Sequence, residues 1–274
     1  MLLSQRWAGN LFRVATYLDA ILAVHRKRCA SDQRDLERLR QACETLAPSP
    51  SLESALRSQG FGVIAEVKRR SPVRGPMSEA AVNPGEVALE YQEGGASAVS
   101  VLTDEPHFGG SLDDLTAVAE VVSIPVLRKD FLLDERDLCD ARLHGASAAL
   151  LIAAAMDQES LVRLIRWSSV IGLELLLEVH DPQELAGLDL RALHFRGALG
   201  INQRDLATFA VDSGRALAYR EELGHEFPVV AESGVQSPED ARALAAGGYD
   251  AVLVGEMLMR SEDRRASVKA LCAR

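Results

Sequence analysis

The stretch VIAEVKRRSPVRG, residues 63–75, begins as an apolar run and ends in a loop that contains Ser71 and Gly75. Its first half is typical of a β-strand, in which side chains two residues apart point the same way. Glu66 and Lys68 therefore share one face at the end of an otherwise apolar strand. Burying two charges costs free energy unless they are paired, so packing alone does not explain them. We expect this strand to carry part of a functional site.

Seven more apolar runs follow, separated by loops and amphipathic stretches. The eight runs cover residues 63–68, 98–104, 125–131, 148–153, 173–180, 198–204, 228–233 and 251–255. Several are apolar almost throughout, as parallel strands covered on both faces should be. Eight strand–helix units in about 210 residues favour a (β/α)8 barrel over an open doubly wound sheet. Such a sheet would more often carry a glycine-rich phosphate loop after its first strand.

Helix starts are marked in the stretches between these runs. Six side chains of N-cap type precede them, namely Asn83, Ser111, Asp134, Asp157, Asp181 and Ser237. Proline follows Asn83, Asp181 and Ser237 at what would be the first helical position. We predict an α-helix after each of the six.

The first 59 residues have a different rhythm. From residue 18 they are helical in pattern and rich in charge, with a break at Pro48-Ser49-Pro50. We predict an N-terminal helical extension and linker over residues 1–59, packed on a barrel over residues 60–274, in a single domain overall. Residues 1–16 are mildly basic and no role is assigned to them.

The composition excludes several classes of protein. A net charge of −10 argues against a nucleic-acid-binding chain, although a few cations in a cleft can still bind a small anion. No apolar run approaches the roughly 18 residues that span a bilayer. The four cysteines lack metal-binding spacing and are predicted to be reduced thiols of a cytoplasmic protein. The histidines form no ligand pattern, so we predict no metal site.

Polar residues gather at the C-terminal ends of the predicted strands, where (β/α)8 barrels carry their active sites. Beyond Glu66 and Lys68 they are Lys129, Glu178, His180, Asn202, Arg204, Glu232 and Glu256. One charge at a strand end is usually solvated, but so many at one rim predict a shared site. His180 is interpreted as a supporting residue. Arg128 and Asp130 have the opposite parity from Lys129, and we expect them to form salt bridges between barrel and helices.

Two glycines follow the last two predicted strands. Gly234 and Gly255 would leave backbone N–H groups open at helix N-termini, where a phosphate is favoured by the donors and by the helix dipole. (β/α)8 barrels often bind phosphate after these strands. The residues therefore predict an enzyme that acts on a small phosphorylated anion by lysine and carboxylate acid/base chemistry, and they leave the reaction open.

Several longer motifs point to one reaction. The runs IAEVKRRSP, SVLTDEPHFGGSLDDL, PVLRKDF, LLLEVHDPQEL, GINQRDLATF, VAESGV and VLVGEMLMR resemble, in order, those of the indole-3-glycerol phosphate synthase family. The resemblance implies a (β/α)8 barrel with an N-terminal helical extension. It also implies conversion of 1-(2-carboxyphenylamino)-1-deoxyribulose 5-phosphate into indole-3-glycerol phosphate, with loss of carbon dioxide and water, in tryptophan biosynthesis. We expect a cytoplasmic monomer or weak homo-oligomer that uses no cofactor.

The same resemblance assigns residue roles. It makes Lys129 the general acid of ring closure and places Glu178, Lys68 and Glu66 in the later steps, with acid and base among these three left open. Residues that match substrate-binding positions are Ser71, Phe108, Phe131, Leu150, Asn202, Arg204 and Glu232. Those that match the phosphate site are Ser233, Gly234, Gly255 and Glu256. Leu176 and Val254 are expected to complete the apolar slot for the aromatic ring.

Two other readings stay open at this point. One is a neighbouring phosphate-binding barrel such as phosphoribosylanthranilate isomerase, although the first strand offers no cysteine for the acid–base pair expected there. The other is a relative that binds a sugar phosphate without converting it, against which the full set of charges speaks.

Overall fold

The computed structural model describes residues 17–58, 60–71, 75–77, 82–204, 211–212 and 214–273. Within them, eight parallel strands close into a barrel in sequence order, with β8 pairing back onto β1. The strands are β1 (Gly62–Val67), β2 (Ala98–Leu102), β3 (Val126–Lys129), β4 (Ala148–Ile152), β5 (Glu174–Val179), β6 (Gly197–Asn202), β7 (Val229–Glu232) and β8 (Ala251–Val254). The predicted (β/α)8 barrel is confirmed.

Helices surround the barrel. They are α1 (Tyr17–Ser31), α2 (Leu36–Glu44), α3 (Leu52–Ser58), α4 (Pro84–Glu93), α5 (Glu105–Phe108), α6 (Leu112–Ala119), α7 (Glu135–Leu143), α8 (Gln158–Val170), α9 (Arg215–Tyr219), α10 (Pro238–Ala246), α11 (Glu256–Met259) and α12 (Arg264–Cys272). No helix in the described part of the chain is long and apolar enough to cross a membrane.

Five of the six predicted helix starts are confirmed. The side chains of Asn83, Ser111, Asp134, Asp157 and Ser237 each accept a hydrogen bond from a backbone N–H of the helix that follows. The prediction after Asp181 is wrong. Only a 3-10 turn forms there, over Pro182–Leu185, and Gly187 follows at a φ of 81°, a left-handed conformation that does not continue a helix.

Successive residues of each strand point alternately into two separate hydrophobic cores. One parity fills the inside of the barrel with residues such as Ile64, Leu127 and Leu176, and the other packs against the helices. From α3, Leu52 and Leu56 join the inner set and are fully buried. The barrel is therefore a packed core, and the charged residues at the other end of its strands rest on an apolar floor.

The opposite-parity charges face the helix layer as expected, but they form their salt bridge with each other. Arg128 is buried and pairs with Asp130 at 2.8 Å, and it also donates to the backbone carbonyl of Asp137 in α7 at 2.8 Å. The salt bridge lies at the end of β3, and the hydrogen bond to Asp137 connects the barrel wall to its helix layer. The salt bridge leaves Lys129, the residue between Arg128 and Asp130, to point into the barrel mouth.

Candidate active site

A cavity of about 640 Å³ opens at the C-terminal ends of the strands. The predicted site residues that line it are Glu66, Lys68, Phe108, Lys129, Phe131, Leu150, Glu178, Asn202, Arg204, Glu232, Ser233, Gly234, Gly255 and Glu256. Ser71 lies beside the mouth in a two-residue strand paired with Gly75, but its side chain falls outside the described part of the structure. The strand ends thus bring nearly the whole predicted set into one pocket.

Lys129, Glu178 and Glu232 form what we call the lysine–carboxylate cluster. The Lys129 Nζ lies 3.0 Å from Oε2 of Glu232 and 3.4 Å from Oε2 of Glu178. Burial works to lower the pKa of Lys129, but the charges of Glu232, Glu178 and Glu66 outweigh it and raise that pKa. The ammonium is therefore held in its charged form.

The two glutamates of the cluster differ in protonation. Burial raises the pKa of Glu232 to about 8, with Glu178 adding to the rise. Burial pushes the pKa of Glu178 the same way, but Lys129, His180 and a 3.0 Å hydrogen bond from Asn202 lower it overall. At neutral pH Glu178 is the carboxylate and Glu232 holds a proton, as expected when two acids share one buried site.

A second ion pair faces the cluster from β1. The Lys68 Nζ lies 2.8 Å from Oε1 of Glu66, and the Glu66 side chain is 5% exposed. A Cβ at Gly255 would collide with that carboxylate. Gly255 thus makes room for Glu66, a packing role that the sequence did not reveal.

Gly200 has the same kind of role for the other half of the pocket. It lies in β6, and a Cβ there would collide with Oε1 of Glu232. The side chain of Glu232 therefore occupies space that any residue larger than glycine would fill. Sequence reasoning missed Gly200, because a glycine inside a strand indicates a close approach without naming the partner.

Residues 233–234, which follow β7, form a left-handed turn. Ser233 has a φ of 65° and Gly234 a φ of 82°, and Gln203 Nε2 donates to the Ser233 carbonyl at 2.8 Å. The expectation that Gly234 stands at a helix N-terminus is wrong, since α10 begins at Pro238. Gly255 does directly precede a helix, α11. The left-handed turn and Gly255 line the same cavity, at the ends of the neighbouring strands β7 and β8.

The apolar wall is mostly as predicted. The rings of Phe108 and Phe131 lie 6.4 Å apart at their centroids, and Leu150 and Val254 line the same cavity. Leu176 does not line it, because it is fully buried inside the barrel. Helix α1 supplies two wall residues that sequence reasoning missed, Leu18 and Ile21.

A buried cluster of hydrogen-bonded side chains attaches α1 to the mouth of the barrel. His25 Nε2 lies 2.9 Å from Oδ1 of Asp104, whose other oxygen takes two hydrogen bonds from His107. His25, Asp104 and Asp130 are close enough to hold a metal ion, a grouping the histidine spacing did not indicate. Since Arg128 and His107 already pair with these carboxylates, we interpret the group as an attachment of α1. It crosses 79 residues of sequence, so no local pattern could predict it.

The fold and the pocket together define the class of enzyme to which the chain belongs. A closed (β/α)8 barrel with a lysine between two buried glutamates, an apolar wall and a left-handed turn at one rim is a barrel enzyme built for acid/base chemistry.

Comparison with known proteins gives the family. A model of the indole-3-glycerol phosphate synthase family matches residues 18–271. An indole-3-glycerol phosphate synthase from Mycobacterium avium is 44% identical over 94% of this chain and 94% of its own length. One from Streptomyces griseus is 47% identical over 80% of each chain. The chain belongs to the indole-3-glycerol phosphate synthase family, whose members are carboxy-lyases of tryptophan biosynthesis.

Solved structures support the fold. A 3-hexulose-6-phosphate synthase aligns with a TM-score of 0.58 at 16% identity, over 77% of this chain and 97% of its own. A thiamine phosphate pyrophosphorylase from Pyrococcus furiosus aligns with a TM-score of 0.56 at 17% identity, over 78% of this chain and 94% of its own. At such identities the likeness concerns the fold alone.

Proposed function

We propose that the protein converts 1-(2-carboxyphenylamino)-1-deoxyribulose 5-phosphate into indole-3-glycerol phosphate, carbon dioxide and water. The observation that carries the proposal is the position of Lys129, a partly buried cation between Glu178 and Glu232 in the cavity. Membership of the family supports the choice of substrate.

Ring closure is the step proposed for Lys129. The aromatic carbon that bears the carboxylate attacks the ketone, whose oxygen must gain a proton. A charged lysine in a cavity of low polarity is a suitable donor. Glu178 keeps the ammonium charged, and Glu232, which is protonated near neutral pH, orients it by accepting a hydrogen bond at 3.0 Å.

The later steps need an acid and a base. After ring closure the carboxylate leaves as carbon dioxide and its electron pair returns to the ring. The new hydroxyl then leaves as water with a proton from an acid, while a base removes a proton from the adjacent carbon. Glu178, Lys68 and Glu66 are the proposed groups. Glu178 has a lowered pKa and suits the base, whereas Lys68 and Glu66, paired at 2.8 Å, exchange protons as a unit.

Substrate binding is proposed for the rest of the cavity. Phe108, Phe131 and Leu150 line the wall proposed for the aromatic ring. The left-handed turn and Gly255 would direct backbone N–H groups at the phosphate, and Arg204 lines the same cavity. Ser71 is proposed to contact the substrate from the first loop, and Asn202 orients Glu178 through its 3.0 Å hydrogen bond.

The domain organisation, oligomeric state, cofactor use and location of the protein are also proposed. Residues 1–59 form an extension that packs on the barrel, which the three helices before β1 support; residues 1–16 lie outside the described part. The enzyme is a monomer or weak homo-oligomer that needs no cofactor. Its location is cytoplasmic, in keeping with four free cysteines.

The test is direct turnover. Purified protein given the carboxyphenylamino substrate should form indole-3-glycerol phosphate, detected by its indole fluorescence, and carbon dioxide in equal amounts. Calorimetric binding of the substrate without product would instead support a non-catalytic relative, and conversion of phosphoribosylanthranilate would support the isomerase alternative. Either result would contradict the proposal.

A further inference from the structure

In the proposed reaction the substrate gains more protons than it gives up, so the enzyme must supply the difference. Ring closure adds one proton to the ketone oxygen and dehydration adds one to the leaving hydroxyl, while the base recovers one from carbon. The carboxylate leaves as neutral carbon dioxide, so each turnover takes up one proton from solvent. The buried groups of the cavity must therefore be resupplied with protons.

Glu178 has few routes to solvent. Its side chain is 1% exposed, Asn202 donates to its Oε1 and Lys129 faces its Oε2. A bound substrate would fill the cavity above it. A third neighbour, His180, lies two residues further along the chain and therefore on the same side. The Nε2 of His180 is 3.8 Å from Oε1 of Glu178.

His180 leads outward to a second carboxyl group. Its Nδ1 lies 4.0 Å from Oε1 of Glu184, and its backbone N–H donates to that same oxygen at 3.3 Å. Glu184 belongs to the 3-10 turn Pro182–Leu185, and its side chain is 24% exposed. Glu184, His180 and Glu178 thus form a line from the surface to the cluster.

Two atoms on this line are unsatisfied. Nε2 of His180 and Oε2 of Glu184 are buried and have no hydrogen-bond partner among the described residues. Unpaired buried polar atoms are uncommon and call for an explanation. Burial, the largest influence, and the charge of Glu178 raise the pKa of Glu184, which favours its proton-carrying form. Neither His180 nor Glu184 lines the cavity.

We propose that Glu184 and His180 form a proton path that, through Glu178, resupplies Lys129 from outside the substrate cavity. The inference rests on the proposed function. A proton from solvent binds Glu184, moves to Nδ1 of His180, and a proton leaves Nε2 for Glu178, so the imidazole takes up one proton and releases one. Glu178 passes that proton to Lys129, 3.4 Å away, after ring closure and is left as the carboxylate that the later step needs. His180 acts through Glu178 and is a positioning and relay residue.

The two gaps are longer than hydrogen bonds, and each needs a movement of about 1 Å to close. Hydrogen bonds of catalytic groups are often long in unliganded sites and shorten when substrate binds. The charged groups around His180 are Glu178 and Glu184, with Lys129 beyond Glu178 and Asp181 next in sequence. Asp181 accepts a hydrogen bond from the Gln183 backbone and is directed along the turn.

The test compares His180→Gln and Glu184→Gln with Glu159→Gln, a control in which an exposed glutamate of α8 is changed. We expect kcat to fall about tenfold or more in His180→Gln and less in Glu184→Gln, with KM unchanged. The solvent deuterium isotope effect on kcat should rise, and added imidazole buffer should restore kcat in proportion to its concentration. Glu159→Gln should match the wild type in all three.

Other outcomes would contradict either the proton path alone or the proposed function as well. Unchanged kcat in both variants, or a fall in kcat without an isotope or buffer response, would overturn the path while leaving the proposed function in place. A wild-type protein that forms no indole product would overturn the proposed function and the path with it. If His180→Gln does not fold, judged by thermal unfolding, Glu184→Gln decides the question alone, because its side chain is on a surface turn.

Discussion

Two parts of the cavity, the lysine–carboxylate cluster and the left-handed turn, are built by different means. The lysine–carboxylate cluster is an arrangement of buried side-chain charges that hold one another, with Lys129 Nζ 3.0 Å from Glu232. The left-handed turn is an arrangement of backbone, with φ values of 65° and 82° at Ser233 and Gly234. Charge chemistry thus depends on which side chains are present, whereas the proposed phosphate contacts depend on a conformation.

This difference predicts two kinds of damage. Removing a charge from the cluster should slow the chemical steps, since stabilisation of the transition state is lost there. Disturbing the left-handed turn should weaken substrate binding and leave the chemical steps nearly intact. Substitutions in each part test whether the two kinds of damage can be separated in this way.

The largest effect is expected for Lys129→Met. Without the proposed general acid, kcat/KM should fall roughly a thousandfold or more, which corresponds to about 4 kcal/mol of transition-state stabilisation. Steady-state kinetics with the indole fluorescence signal measure it. Lys269→Met, at an exposed position of α12, is the control and should turn over normally. Unimpaired turnover by Lys129→Met would remove Lys129 from its role.

The next largest effect is expected on the pH dependence of the free energy of unfolding, and it comes from Glu232. With its pKa raised to about 8 by burial, native Glu232 keeps a proton that the unfolded chain loses near pH 4.5. Its contribution is complete below about pH 4.5 and is lost as the pH rises through about 8. The free energy of unfolding should therefore fall between pH 5 and 8, relative to Glu232→Gln, by at most about 4 kcal/mol.

Urea unfolding at pH 5, 6.5 and 8 measures this difference. Glu159→Gln serves as the control, because an exposed carboxylate should give a curve parallel to that of the wild type. Parallel curves for Glu232→Gln as well would show that Glu232 is ionised in the native protein, and the assigned proton would be wrong.

A smaller effect is expected for Gly234→Ala. A left-handed alanine costs about 1 kcal/mol or more, and the new Cβ would approach Gln203 Nε2 at 3.1 Å and Val211 Cγ1 at 3.0 Å. We expect KM to rise roughly tenfold with little change in kcat. Gly172→Ala is a matched control, since Gly172 has a φ of 67° and no neighbour within 4 Å. Equal effects of both changes on KM would contradict a binding role for the left-handed turn.

The smallest effect is expected for Gln203→Met. This change keeps the volume but removes the 2.8 Å hydrogen bond to the Ser233 carbonyl, a loss of about 1 kcal/mol. KM should rise a few-fold. Gln158→Met removes a similar bond, to the Ala186 carbonyl at the surface, and should leave KM unchanged. A fall in kcat without a change in KM would place Gln203 with the lysine–carboxylate cluster instead.

The sequence predicted the barrel well because its signals are local. Buried apolar runs and N-cap residues such as Asn83 and Ser237 each mark an element within a few residues. Parity then placed Glu66 with Lys68, and Lys129 on the opposite side from Arg128. Barrel geometry does the rest, since all strand ends meet at one rim.

What could not be predicted depends on distances across the chain. The space that Gly200 leaves for Glu232 joins two strands, and the contact of His25 with Asp104 joins α1 to the barrel mouth. The protonation of Glu232 follows from burial and from Glu178, neither of which is local. The short turn after Asp181 shows the opposite limit, because a good N-cap did not outweigh Gly187.

The most direct test measures inorganic phosphate binding by calorimetry beside turnover, in Lys129→Met and Gly234→Ala. Lys129→Met is expected to bind phosphate like the wild type while losing turnover. Gly234→Ala should bind phosphate at least several-fold more weakly while keeping kcat at saturating substrate. If both variants lose phosphate binding and turnover together, the two parts of the cavity do not have separate roles, which would contradict this expectation.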